Sequence, residues 1–181
     1  MPRTYRLRIF LNRKQSDVIA RVEAVITTVL PGARVGRTQR RHAAVTEVTC
    51  YSNDWPLLFP QHGPGRKHRR PIVLEPGQAA IVSRHPAPFL QGLLESDGCR
   101  HRRIVRGRDY PAYSFTNWSE DILRLFAWAC DLMQIRWRRA SSRVISIARR
   151  ADVARVDAFM TAPQTFSVMP SSLANTSTPG A

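Results

Sequence analysis

From Tyr5 to Leu11 apolar and polar residues alternate. Tyr5, Leu7 and Ile9 fall on one face and Arg6 and Arg8 on the other, the period of a half-buried strand. At Ser16 the period lengthens to that of a helix. Val18, Ile19, Val22, Val25, Ile26 and Val29 form its apolar stripe, and Pro31-Gly32 ends it. Residues 33–41 (ARVGRTQRR) and 43–51 (AAVTEVTCY) predict two strands around a basic turn, and Asp54 to Phe59 a short apolar helix. The same order then returns. Tyr110 to Asn117 reads as an aromatic strand, and Ser119 caps a helix with apolar Ile122, Leu125, Phe126, Ala129 and Leu132. RWRRASSRVISIARR supplies two basic strands, and Asp152 to Met160 a closing helix. The recurrence of strand, helix, strand, strand, helix predicts an α+β protein with a divergent internal repeat.

Between the halves, residues 61–85 are basic and rich in Pro and Gly, the composition of a linker. Residues 161–181, low in charge and rich in Ser, Thr, Pro and Ala, read as a disordered tail. Residues 89–100, FLQGLLESDGCR, combine a helical apolar pattern with features a helix disfavours. Gly92 lies mid-helix, and Glu95 and Asp97 lie in the last turn, at the negative end of the helix dipole.

Charge narrows the choice of partner. Twenty-eight Lys and Arg against thirteen Asp and Glu give a formal charge of +15. Lys14 and Lys67 are the only lysines, so the basic side is almost wholly arginine, whose planar fork matches phosphate and guanine edges. Nucleic acid is the leading partner. Cys50, Cys99 and Cys130 form no CxxC pair, and the five histidines have no helical pairing, which argues against a disulfide framework or a zinc site. No apolar run approaches the ~20 residues that a bilayer requires, so no membrane association and a cytoplasmic location are expected.

Leu90 to Gly98, LQGLLESDG, resembles the nine-residue motif of the LAGLIDADG homing endonuclease superfamily. The approach HRRPIVLEPGQAAIVSRHPAPFLQGLLESDG is similar to the basic, proline-bearing lead-in to the second motif of its monomeric members. The resemblance covers residues 5–160 and looks nearest to bacterial LAGLIDADG-like proteins. It implies αββαββα repeats forming a DNA-binding β-saddle. Residues 1–60 would be a partial first repeat without its motif helix, 61–85 the linker, 86–160 a complete second repeat and 161–181 the tail. It also implies that Gly92 and Ser96 let two motif helices approach closely. Asp97 would be the catalytic, metal-ligating carboxylate for Mg²⁺, and Gly98 a left-handed helix stop. Glu95, on another side of the helix, would contact a neighbouring helix or strand. Lys67 is a candidate phosphate or transition-state contact, with a solvated basic loop the equal alternative. Arg6, Arg8, Arg34, Arg37, Arg102, Arg106, Arg108, Arg136 and Arg138 are the DNA-binding candidates, about half of them expected to touch DNA. Trp118, Trp128 and Trp137 are expected in the core.

The chain departs from the family pattern in one respect. The motif occurs once, and a helix and strand that would precede YRLRIFLN are missing, so a late start of the reading frame is the expectation. Three functions follow from the resemblance: a Mg²⁺-dependent endonuclease acting on double-stranded DNA, a non-catalytic DNA-binding transcriptional regulator, and an RNA-binding maturase. A homodimer through the motif helix is the implied assembly, since it would cover the face carrying Gly92 and Ser96. Duplex DNA binding is expected to weaken steeply with salt. For contact with roughly six to eight phosphates, log K against log salt should fall with a slope of about −5 to −7. A slope near zero would remove the polyanion argument.

Overall fold

A computed structural model describes residues 4–39, 43–63 and 70–161. The chain divides into two compact units between Phe59 and Pro60. In the first, the alternating segment forms β1 (Arg6–Asn12), followed by α1 (Ser16–Val29), β2 (Val35–Gln39), β3 (Val45–Tyr51) and the short α2 (Trp55–Leu58). The three strands form an antiparallel sheet in the order β1-β3-β2. Leu7, Ile9 and Leu11 of β1 pack with Val48 and Cys50 of β3 against Ile19 and Ile26 of α1. Of the expected helical stripe, Val29 lies half-exposed at the end. Trp55 closes this core and donates its indole N–H to the Cys50 carbonyl at 3.1 Å, so the buried ring keeps a polar partner.

The second unit runs α3 (Pro76–Arg84), α4 (Pro86–Asp97), β4 (Gly98–Val105), β5 (Arg108–Thr116), α5 (Glu120–Leu132), β6 (Arg138–Ser141), β7 (Val144–Ile147) and α6 (Arg150–Thr161). From α4 onward this is an αββαββα succession. Its antiparallel sheet has the order β4-β5-β7-β6, so β5-β7-β6 repeats the order β1-β3-β2. The local connections repeat too. Arg13 donates its N–H to the Ala44 carbonyl at 2.9 Å just after β1, and Asn117 donates to Arg143 at 3.0 Å just after β5. Leu90 and Leu94 of α4, Phe115 of β5, Leu123 and Phe126 of α5, and Ile145 and Ile147 of β7 form the core. The Phe115 and Phe126 rings stack in parallel with centroids 4.3 Å apart, a geometry that adds about 0.5–1.5 kcal/mol to their burial. Ser119 caps α5 as expected, its hydroxyl accepting from the Ile122 N–H. The buried stripe of α5 includes Leu123, and Leu132 is half-exposed.

Three expectations change. Residues 76–84, read as linker, form α3. Glu75 and Gln78 make a reciprocal capping box and Pro76 occupies the first turn, so the segment carries its own start signal. Gly98 is not left-handed: at φ −92° and ψ 158° it is already extended. Its requirement is proximity, because a Cβ there would lie 2.5 Å from the Leu94 carbonyl oxygen. Trp118 is 66% exposed rather than core, because it stands between the buried Asn117 and Ser119 and alternation turns it outward. Lys67 and residues 162–181, nearly all of the expected tail, lie outside the described residues. Among those residues no helix is long and apolar enough to cross a membrane.

The two motif glycines should therefore respond oppositely to alanine. Gly98→Ala, with its clash against Leu94, is expected to cost about 1–3 kcal/mol. Gly92→Ala, with nothing within 4 Å of the added Cβ, should stabilise by about 0.5–1 kcal/mol through helix propensity. Urea denaturation of the two variants checks both signs.

Candidate nucleic-acid interface

Helix α4 begins at Pro86, where a missing N–H breaks no intrahelical bond, and its inward residues Leu90 and Leu94 are almost fully buried. Burying each is worth about 1.5–3 kcal/mol relative to exposure, which fixes how the helix rolls against α5 and β5. Gly92 and Ser96 then fall on its exposed side. Gln91 is buried and donates to Glu95 one turn later at 2.9 Å, so this contact of Glu95 is within α4 rather than to a neighbouring element.

Asp97 is the last helical residue and is exposed. Its Oδ2 accepts from the Asn117 amide at 3.0 Å, while the Ser96 hydroxyl, 3.4 Å away, gives its one proton to the Leu93 carbonyl at 2.9 Å. Asn117 is buried, and its other amide atom is committed: Oδ1 accepts from the Ser119 N–H at 2.9 Å. The amide can satisfy that N–H only with its oxygen, so its NH₂ must face Asp97. The carboxylate is held in place at the point where helix meets sheet. No cluster of three or more His, Cys, Asp or Glu residues suits a metal among the described residues. Asp97 alone fits a hard cation that takes one or two protein carboxylates and completes its shell with water and phosphate oxygens.

The sheet registers sort the arginines. In the second unit Cys99, His101 and Arg103 of β4 share a face with Ser114 of β5, Ser146 and Val144 of β7, and Arg138 and Ala140 of β6. Together they line a shallow depression of about 280 Å³. This is the face away from the helices. Arg108 is on it by alternation, and Arg106 stands at the β4–β5 hairpin tip with φ 51° beside Gly107 at φ 73°, the two positive φ values of a primed hairpin turn. Arg102 lies on the opposite face in an ion pair with Asp109, and Arg136 is 3.9 Å from Asp152. In the first unit Arg6 and Arg8 stand on the face away from α1, beside Thr49 and Tyr51. Arg37 is on the helix side, in a bidentate pair with Glu23 at 2.7 and 2.5 Å. Arg34 is exposed ahead of β2.

Helix-side acids thus hold several arginines inward. Arg100 forks onto Asp157 at 2.8 and 2.9 Å, and the Tyr113 hydroxyl donates to the same carboxylate at 2.6 Å, tying α6 to β4 and β5. The Arg100 hydrogen bonds hold the Asp157 pKa below its ordinary value, while burial and the Asp157 contact push the Tyr113 hydroxyl up to about 12.

This fold is similar to that of known structures. I-DmoI in complex with DNA and manganese matches over 89% of this chain and 84% of its own, with a TM-score of 0.54 at 11% identity. A glycine-to-serine variant of I-DmoI with its target DNA and magnesium matches over 88% and 83%, with a TM-score of 0.57 at 12% identity. The fold is that of the LAGLIDADG superfamily. The N-terminal LAGLIDADG domain of DUF199/WhiA also matches, over 88% of this chain and 72% of its own, at 15% identity with a TM-score of 0.50. No family model and no curated protein matches the sequence. The likeness is therefore one of LAGLIDADG architecture.

Within this LAGLIDADG fold, sequence reasoning missed four residues. Asn117 orients Asp97, and only the chain reversal around β5 brings the two together. Arg103 was legible, since it shares the odd-numbered alternation of Cys99 and His101. Glu47 is buried beneath Arg6 and Arg8. Trp118 carries the Arg143 guanidinium 3.2 Å from its ring centroid.

Asn117→Asp retains the oxygen that caps Ser119 but sets a second carboxyl against Asp97. One of the pair should then have a raised pKa, so the stability it contributes is present at low pH and lost as pH rises through that value. The variant is expected to be most destabilised, relative to the parent, near pH 7 and to recover toward pH 4. Its melting temperature should rise with millimolar Mg²⁺ more than that of the parent. Parallel pH profiles would show that Asn117 does not hold Asp97.

Proposed function

We propose that the chain binds double-stranded DNA through the helix-free faces of its two sheets and that Asp97 holds a divalent cation, Mg²⁺, for phosphodiester hydrolysis. The observation that carries this reading is the division of charge. In the second unit the sheet face away from the helices bears Arg103, Arg108 and Arg138 with no acid, while Asp157 and Asp109 engage arginines on the other face. A two-stranded ribbon with arginines on one side fits the major groove, where side chains reach base edges and phosphates. The structural neighbours bound to DNA with manganese or magnesium support the same partner and a divalent cation.

In this reading Asn117 fixes the Asp97 carboxylate by its amide, and the backbone of Gly98 carries the chain from that carboxylate directly into the DNA-facing strand β4. Asp97 would hold the cation, whose chemistry would be to lower the pKa of an attacking water and to stabilise the leaving oxygen. Arg106 and Arg108 at the hairpin hold phosphates, which fixes the register of the duplex. Gly92 and Ser96 are proposed as a seam for a second motif helix, through which a second copy of the chain would bring another Asp97.

A second reading, a DNA-binding regulator without cleavage, is favoured by one specific observation: Asp97 stands as a single carboxylate at the end of α4, outside any cluster of three or more metal-ligating side chains among the described residues. The substitution Asp97→Asn distinguishes the two. It removes the ligand charge and nearly preserves shape, so it should abolish Mg²⁺-dependent nicking or cleavage of duplex DNA while affinity stays within a few-fold. Equal hydrolysis by both proteins would exclude the nuclease mechanism. Selective binding by both without hydrolysis would establish the regulator.

A further inference from the structure

Glu47 lies in β3, the central strand of the first sheet, with Phe10 of β1 and Thr38 of β2 beside it in register. It faces away from α1, on the surface that bears Arg6 and Arg8, yet it is only 5% exposed. Both arginines cover it: Arg6 Nη2 donates to its Oε1 at 2.9 Å and Arg8 Nε to the same oxygen at 2.7 Å. Each guanidinium also lies over a ring, Arg6 at 5.6 Å from the Tyr51 centroid and Arg8 at 5.0 Å from that of Phe10. The two side chains nonetheless remain 41% exposed.

A surface that only attracts phosphate gains nothing from a carboxylate at its centre, because a buried acid offsets positive potential and has to be desolvated. The second unit shows the alternative. Ser146 holds the position in β7 that Glu47 holds in β3, two residues beyond the strand's first paired valine. No acid stands among the strand residues of that face.

What Glu47 supplies is orientation. An arginine on a flexible stem contacts phosphate from many angles, whereas reading guanine O6 and N7 needs a planar fork fixed in direction. Arg8 is tied by Nε and flanked by Phe10, which leaves its two terminal nitrogens, the pair that forms the fork.

We infer that Glu47 is a positioning residue that makes Arg8, with Arg6 beside it, a guanine reader. The first unit's sheet then supplies base selectivity to the DNA binding proposed above, on which this inference rests.

The test uses the full chain and a pool of duplexes of randomised sequence, with bound molecules selected and sequenced. The parent should enrich guanine at a fixed position. Glu47→Val removes the acceptor but keeps a strand-favouring side chain. It should bind random duplex as tightly or more tightly and lose roughly tenfold of that guanine preference. Arg8→Lys retains the charge without the fork. It should lose the same preference with an unchanged salt slope, and it decides the matter if circular dichroism shows Glu47→Val unfolded. A folded Glu47→Val that keeps the guanine preference overturns the inference, as does a parent that binds duplexes without base preference. A parent that binds no duplex removes the DNA-binding reading and the inference together.

Discussion

The passage from α4 to β4 has no loop. Asp97 is the last residue of the helix and Gly98 the first of the strand, and the backbone turns so tightly that a single added carbon at Gly98 would strike Leu94. Leu94 cannot yield, because it and Leu90 anchor α4 in the core of its unit. Interior packing therefore fixes the backbone that carries this exposed carboxylate, and the Asn117 amide orients its side chain. A longer connection would have left Asp97 on a mobile stem, where holding it against Asn117 would cost conformational entropy.

Charge is arranged around this anchor by simple economy of contact. A formal excess of +15 in 181 residues would disfavour a compact state, and several of the acids offset it in ion pairs with arginine. Asp157 ties Arg100 and Tyr113 between α6 and the sheet, Glu23 holds Arg37 to α1, and Glu120 pairs with Arg139. These pairs are partly exposed and individually weak. Each engages an arginine that the strand register already places on the helix side of its sheet. Glu47 breaks the pattern by lying on that face, and its burial beneath two arginines marks it as a different kind of contact from the rest.

The sequence determined the elements by itself. Alternation in RLRIFLN, the apolar stripe at Ser16, the cap at Ser119 and the basic hairpins are local signals, and local signals survive without knowledge of the fold. The LQGLLESDG motif likewise marked α4. Helix α3 was legible in the spacing of Glu75, Pro76 and Gln78 but was hidden by the Pro and Gly around it.

Tertiary structure alone decided which of the charged residues act together. Asn117 is twenty residues from Asp97 and Glu47 about forty from Arg6 and Arg8, separations over which no period carries information. It decided that Gly98 serves close approach rather than a left-handed turn, because the conflict is with the Leu94 backbone and not with its own dihedral angles. It also divided the arginines between the two sides of each sheet. A strand's period of two says that neighbours point to opposite faces, but only pairing with the core strands says which face is buried.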